Sequence, residues 1–148
     1  MDPLYGQKTT HAKLADKSEN WIVVDATDQV LGRLASKVAM RLQGKHSPLF
    51  TPGATVGDAV AIVNLSKIII TGKKAEQRQF RWYTGFPGGL KSRTLGAQMN
   101  LSPEQAFMIT LKGMLPKNSY GRKLMRRIRL FAGAEHNVKA QNPKTVNL

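Results

Sequence analysis

The 148-residue chain has no cysteine, so disulfides and thiolate metal sites are excluded and a reducing compartment is the natural reading. No apolar run approaches the ~18 residues of a membrane-spanning helix. The opening residues, MDPLYGQKTTHAKLADKSEN, lack the apolar core of a secretory signal, and Asp2, Asp16 and Glu19 weigh against a transit peptide. Acids are scarce: nine Asp and Glu stand against 23 Lys and Arg, for a net charge of +14. What the chain does have is a hydrophobic content of 41%, which is globular rather than disordered. One domain of this length buries about 68–70% of its unfolded surface. The expected organisation is an N-terminal extension over residues 1–20 and a single domain over 21–148, with an extended tail from about residue 135.

The positive surplus is uneven. Residues 1–76 carry ten basic and seven acidic residues, whereas residues 77–134 carry eleven basic residues and one acid, Glu104. The densest part is LKGMLPKNSYGRKLMRRIRL (Leu111–Leu130), with seven Lys or Arg and no acid. Ordinary surfaces intersperse both signs. A one-signed region repels itself in the compact state unless a polyanion neutralises it, which points to nucleic acid or an anionic membrane. A membrane-surface helix needs an apolar face opposite its cations. Here Tyr120, Leu124, Ile128 and Phe131 are needed for the core, so no membrane partner is expected.

Hydrophobic spacing predicts the elements. WIVVDAT (Trp21–Thr27) reads as a buried strand. Leu31, Leu34, Ala35, Val38 and Leu42 then form a helical stripe, with Arg33, Lys37 and Arg41 on another side and Gly44 and Pro48 as the stop. Residues 46–58 form a loop. Ala59–Asn64 and Lys67–Thr71 are near-continuous apolar runs, expected as strands of a sheet covered on both faces. Phe80–Lys91 reads as a short strand followed by an aromatic-bearing loop, with a helix over Thr94–Asn100. Ser102–Gly113 is the clearest helix, with Pro103 in its first turn, Glu104 at the positive end of its dipole and a Ser102/Gln105 capping box. From Tyr120 the spacing fits a helix, although the RIRLF end also alternates like a strand. On a helix Arg122, Arg126 and Arg129 project opposite the apolar face with Lys123 and Arg127 on its flanks, and either period separates several charges from the apolar contacts. The tail is expected to be ordered only if something holds it. The fold class is therefore α/β: a small, mostly parallel central sheet of about four strands flanked by helices, with extended basic loops and a C-terminal tail.

Catalytic patterns are weak. Asp25 and Asp28 in VVDATD suggest a small nucleotide-binding phosphotransfer enzyme, but the following turn matches neither phosphate-binding glycine pattern. Both carboxylates are better explained by local hydrogen bonds or helix capping. His11, His46 and His136 lie in separate segments, and Glu135–Asn137 has no nucleophile beside it. No cofactor, metal or small-molecule substrate is expected. The cations have a more specific use, since Lys and Arg neutralise phosphates and Arg also forks onto their oxygens. Trp82, Tyr83 and Phe86 lie among Arg78, Arg81, Lys91 and Arg93, where they serve either to stack unpaired bases or to pack the loop onto the core.

The phrases WIVVDATDQVLGRLASKVAMRLQGKH, GDAVAIVNLSKIIITGKK, YTGFPGGLK, LKGMLPKNSYGRK and FAGAEHNVKAQNP, in this order, resemble the thirteenth large-subunit ribosomal protein family in its bacterial form. The likeness runs from about Trp21 to Pro143, and GMLPKN followed by GRK is its most specific part. It implies a non-enzymatic α/β protein of the ribosome, bacterial or organellar. Such a protein binds large-subunit rRNA, acts early in subunit assembly, touches neighbouring large-subunit proteins and is not a homo-oligomer. Matched onto this chain, the resemblance adds Lys45 and His46 after the first helix, Lys112, Lys117 and Asn118 in the fourth phrase, and His136 in the tail. The full expected RNA-facing set is Arg33, Lys37, Arg41, Lys45, His46, Arg81, Tyr83, Lys91, Lys112, Lys117, Asn118, Arg122, Lys123, Arg126, Arg127 and His136. The chain departs from the family at Gln43, Gly53, Thr55 and Val138, where Arg, His, Asp and His are usual. A regulatory RNA- or DNA-binding role outside the ribosome would use the same cations.

Overall fold

A computed structural model describes residues 20–148. The extension expected over residues 1–20 therefore lies, apart from Asn20, outside the described residues. Strand β1 (Trp21–Asp25) leads into helix α1 (Leu31–Gln43), which returns to strand β2 (Ala59–Val63). These strands pair in parallel from Trp21↔Ala59 to Asp25↔Val63. A short strand β5 (Ile128–Leu130) adds to the free side of β2, and β6 (Lys144–Thr145) adds to β1. All pairings in this four-stranded sheet, ordered β5-β2-β1-β6, are parallel, as the α/β expectation requires.

Alternation along the strands divides the core. Ile22, Val24, Val60 and Ile62 join the main cluster, where the α1 stripe (Leu31, Leu34, Ala35, Val38, Leu42) meets Phe107 and Leu111 of helix α4 (Pro103–Met114). Val23, Ala61 and Val63 point to the opposite face, which Val138, Trp21 and Phe131 cover. Both faces are thus shielded, which explains why β2 is apolar at all five positions. The tail is held: Val146 N–H donates to the Val23 carbonyl at 2.9 Å beside β6.

Several elements differ from expectation. Lys67–Thr71 is not a strand. Asn64 adopts the left-handed conformation (φ 59°) and turns the chain out of β2 into a 3-10 turn over Leu65–Lys67. The triple-isoleucine run then straps the β1–α1 connection through the bridge Val30↔Ile69, with Ile68 in the core and Ile69 exposed. After a short helix α2 (Lys74–Gln77), the aromatic segment is an antiparallel ribbon of β3 (Gln79–Tyr83) and β4 (Leu90–Thr94), so the loop shrinks to residues 84–89. Helix α3 (Leu95–Leu101) is capped by the Thr94 hydroxyl, which accepts from Ala97 N–H.

At α4 the Ser102 hydroxyl accepts from Gln105 N–H at 3.3 Å, as expected. The reciprocal half of the capping box is missing because α3 runs directly into Ser102, whose N–H already donates to the Gln98 carbonyl at 2.9 Å. The Gln105 side chain accepts from Gln98 Nε2 instead. The helix continues past Gly113 to Met114, and Leu115 turns extended just before Pro116, the conformation a following proline favours. Helix α5 (Ser119–Met125) stops early, which frees Ile128–Leu130 to join the sheet; the strand alternative for that end is the one adopted. Among the described residues no helix is long and apolar enough to cross a membrane.

Candidate nucleic-acid interface

Helices α4 and α5 meet at a tight corner made by Leu115–Asn118. Met108, Lys112 and Leu115 follow one another at helical spacing along the first arm. Arg122, Met125 and Arg126 do so along the second. The result is a groove of about 670 Å³ between the arms. Lys112, Lys117, Arg122 and Arg126 surround it, and no acid lines it. The Asn118 side chain caps α5 by accepting from Gly121 N–H at 2.9 Å. Five of the expected RNA-facing residues are thus brought together in one place.

A second, smaller depression of about 310 Å³ lies at the start of α1. There Arg33 meets Lys74 and Arg78, two cations that sequence reasoning did not select. No side chain caps this helix end. Lys37, one turn beyond Arg33, is exposed on the same helix.

The ribbon divides the aromatic group by face. Directly paired residues of an antiparallel ribbon point to the same side. Phe80, Arg93, Trp82 and Lys91 therefore share one face, and Arg81, Ser92, Tyr83 and Leu90 share the other. The first face is anchored at its base: Phe80 packs on the core and Arg93 Nη1 donates to the buried Gln98 Oε1 at 2.9 Å. From there the Arg93 guanidinium lies 5.6 Å from the Trp82 ring centre. Trp82 is 42% exposed, Tyr83 63%, Phe86 73% and Leu90 66%. Packing of Trp82 and Phe86 into the core is therefore excluded. Lys91 and Tyr83, expected together, lie on opposite faces.

Asp25 serves a local role. Its Oδ1 accepts from Thr27 N–H at 2.9 Å, the Thr27 hydroxyl at 2.7 Å and Asn64 Nδ2 at 3.0 Å. These bonds, Asn64's first, hold its carboxyl below the usual aspartate value. The capping role considered for the Asp25–Asp28 pair is not taken up, because the residue at the α1 start is Val30. Among the described residues no group of three or more His, Asp or Glu is placed to hold a metal ion.

Comparison with known proteins bears directly on this arrangement. The family model described as ribosomal protein L13 matches residues 19–137. A large ribosomal subunit protein uL13 of Halorhodospira halophila is 45% identical over 141 residues, covering 95% of this chain and 99% of its own. The uL13 of Finegoldia magna is 48% identical over 141 residues with the same coverage. That of Thermotoga maritima is 44% identical over 142 residues, covering 96% and 95%. The chain belongs to the ribosomal protein L13 family. The alignments leave few residues outside, so the likeness to these relatives reaches into the first twenty residues, further than the phrases from Trp21 onward suggest.

Within this L13 chain, some expected RNA-facing residues are committed inward. Arg41 Nη1 lies 3.7 Å and His46 Nε2 3.1 Å from the buried carboxylate of Asp58. Arg127 Nη1 donates to the Thr55 carbonyl at 3.3 Å, and the Tyr120 hydroxyl donates to the Ala54 carbonyl at 3.1 Å. Burial raises the Tyr120 phenol, and nearby Arg127 partly offsets this. Together these four side chains staple the loop after α1 to the domain. Asp58, the residue that Arg41 and His46 reach, was missed; its signal was being the lone acid between Asp28 and Glu76. His136 is half-buried with Nδ1 turned inward and unpartnered, its ring 6.3 Å from that of Phe131. Lys45, Lys117 and Lys123 are exposed. Val138, a departure from the L13 pattern, is a packing residue of the second core face.

Proposed function

We propose that this protein is a structural, non-enzymatic constituent of the large ribosomal subunit that binds large-subunit rRNA and supports early subunit assembly. The observation that carries the binding mode is the acid-free ring of Lys112, Lys117, Arg122 and Arg126 around the α4–α5 groove. Phosphates gather at such a ring, release counterions and fix the RNA to the protein. Arg33, Lys37, Lys74 and Arg78 form a second contact, and the exposed ribbon rings offer stacking for unpaired bases. Arg41, His46 and Arg127 act chiefly by holding the loop that presents Lys45.

The partners are rRNA and neighbouring large-subunit proteins. A net charge of +14 disfavours pairing of two copies through their basic faces, in keeping with a protein that is not a homo-oligomer. The compared relatives are bacterial, which favours the bacterial ribosome over an organellar one. The phosphotransfer alternative is weakened by the local use of Asp25, whose Oδ1 is held by Thr27 and Asn64, and by the lack of a phosphate-binding glycine pattern after it. The extraribosomal alternative finds no support in relatives named as large-subunit proteins. Sucrose-gradient sedimentation of a cell lysate tests the reading: the protein should travel with large subunits, and recovery only at the top of the gradient would refute it.

A further inference from the structure

The α4–α5 groove has a floor as well as a rim. Met108 and Met125, half-buried against the core, line it together with Leu115 and Pro116. Neutralising phosphates needs only a flat cationic face, and a floor of this kind adds nothing to it. An apolar cleft directly beneath four cations has instead the two-part chemistry of a nucleotide, a flat ring joined to an anion. Its volume of about 670 Å³ lies within the roughly 300–1,000 Å³ of small-molecule sites. Methionine side chains, soft and unbranched, adapt to ring faces.

We propose that this groove receives one unpaired nucleotide of the bound RNA, with its base on the Met108–Met125 floor and its flanking phosphates on Lys112, Lys117, Arg122 and Arg126. This rests on the RNA-binding reading and adds to it a demand for an extruded base. Asn118 fits the role. Its Oδ1 is engaged by Gly121 N–H, which leaves the Nδ2 group as a donor at the groove wall for a carbonyl oxygen on the base edge. A continuous duplex keeps its bases stacked and paired, so the groove selects single-stranded or bulged RNA.

The test uses the full chain labelled with carbon-13 at its methionine methyl groups. It is titrated with hexaadenylate and with an abasic ribose-phosphate hexamer carrying the same number of phosphates. Hexaadenylate should shift the Met108 and Met125 methyl signals by ring current, while the abasic hexamer binds without doing so. Met99, which lines neither the groove nor the second contact, should stay unmoved by both. Met125→Ala should weaken hexaadenylate binding by about two- to ten-fold, the scale of a lost sulfur–ring contact, and leave the abasic hexamer unaffected. If both hexamers bind and move these methyl groups alike, or neither moves them, the groove holds phosphate only and the inference fails while the RNA-binding reading stands. If neither hexamer binds and large-subunit rRNA does not bind either, both fail together.

Discussion

Gly121 lies so close to Pro116 that a β-carbon on it would overlap the Pro116 carbonyl oxygen. The α4–α5 corner closes because position 121 has no side chain, and that closure sets the width of the groove between Lys112 and Arg122. Gly121→Ala should therefore force the corner apart and cost about 1–3 kcal/mol, as overpacking does. A lowered urea midpoint is expected. An unchanged midpoint would show that the corner opens freely.

Asp58 is placed to organise the loop after α1. Its carboxylate is buried, while the Arg41 and His46 side chains that reach it are each 31% exposed, so each pairing is screened and worth about 1 kcal/mol or less. Asp58→Ala should speed amide exchange over residues 45–57 and leave exchange in β1 and β2 unaltered. Uniform protection before and after the change would remove Asp58 from this role.

Asp25 makes a pH prediction. Its folded pKa is lowered, by Asn64 first and then by Thr27. A carboxyl lowered on folding stabilises the native state above its unfolded value of about 3.9, and that contribution fades as acidification passes the folded value. Asn64→Ala should move the Asp25 titration upward, read by carboxyl-carbon NMR, and make acid unfolding begin at a higher pH. A titration that stays in place would assign the shift to another cause.

The parts that sequence could reveal were those set by local periodicity. The α1 stripe, the five-residue apolar β2 and the Ser102 cap each follow from spacing within one element. The Lys67–Thr71 run reads as a strand and is not one, because three isoleucines suit a strand or a strap equally. The deciding feature, left-handed backbone at Asn64, leaves little trace in composition. The cations around the groove were legible as charge, but its floor was not, since Met108 and Met125 look like ordinary inward helix positions. Asp58 reaches Arg41 across 17 residues of chain, a pairing no local pattern encodes. The exposure of Trp82 and Phe86 depended on whether their segment was a projecting ribbon or a packed loop, which the ring-and-glycine composition leaves undecided.

RNA binding by this protein rests on a fixed set of cations whose counterpart is folded ribosomal RNA. Binding of the purified protein and of its Arg122→Ala/Arg126→Ala variant to large-subunit rRNA, measured across a series of salt concentrations, tests this most directly. The logarithm of affinity should fall linearly with the logarithm of salt, and the double variant should bind more weakly with a slope shallower by about 1.4–1.8, two phosphate contacts' worth. An identical slope for the two proteins, or affinity for rRNA no greater than that of a neutral protein of this size, would contradict it.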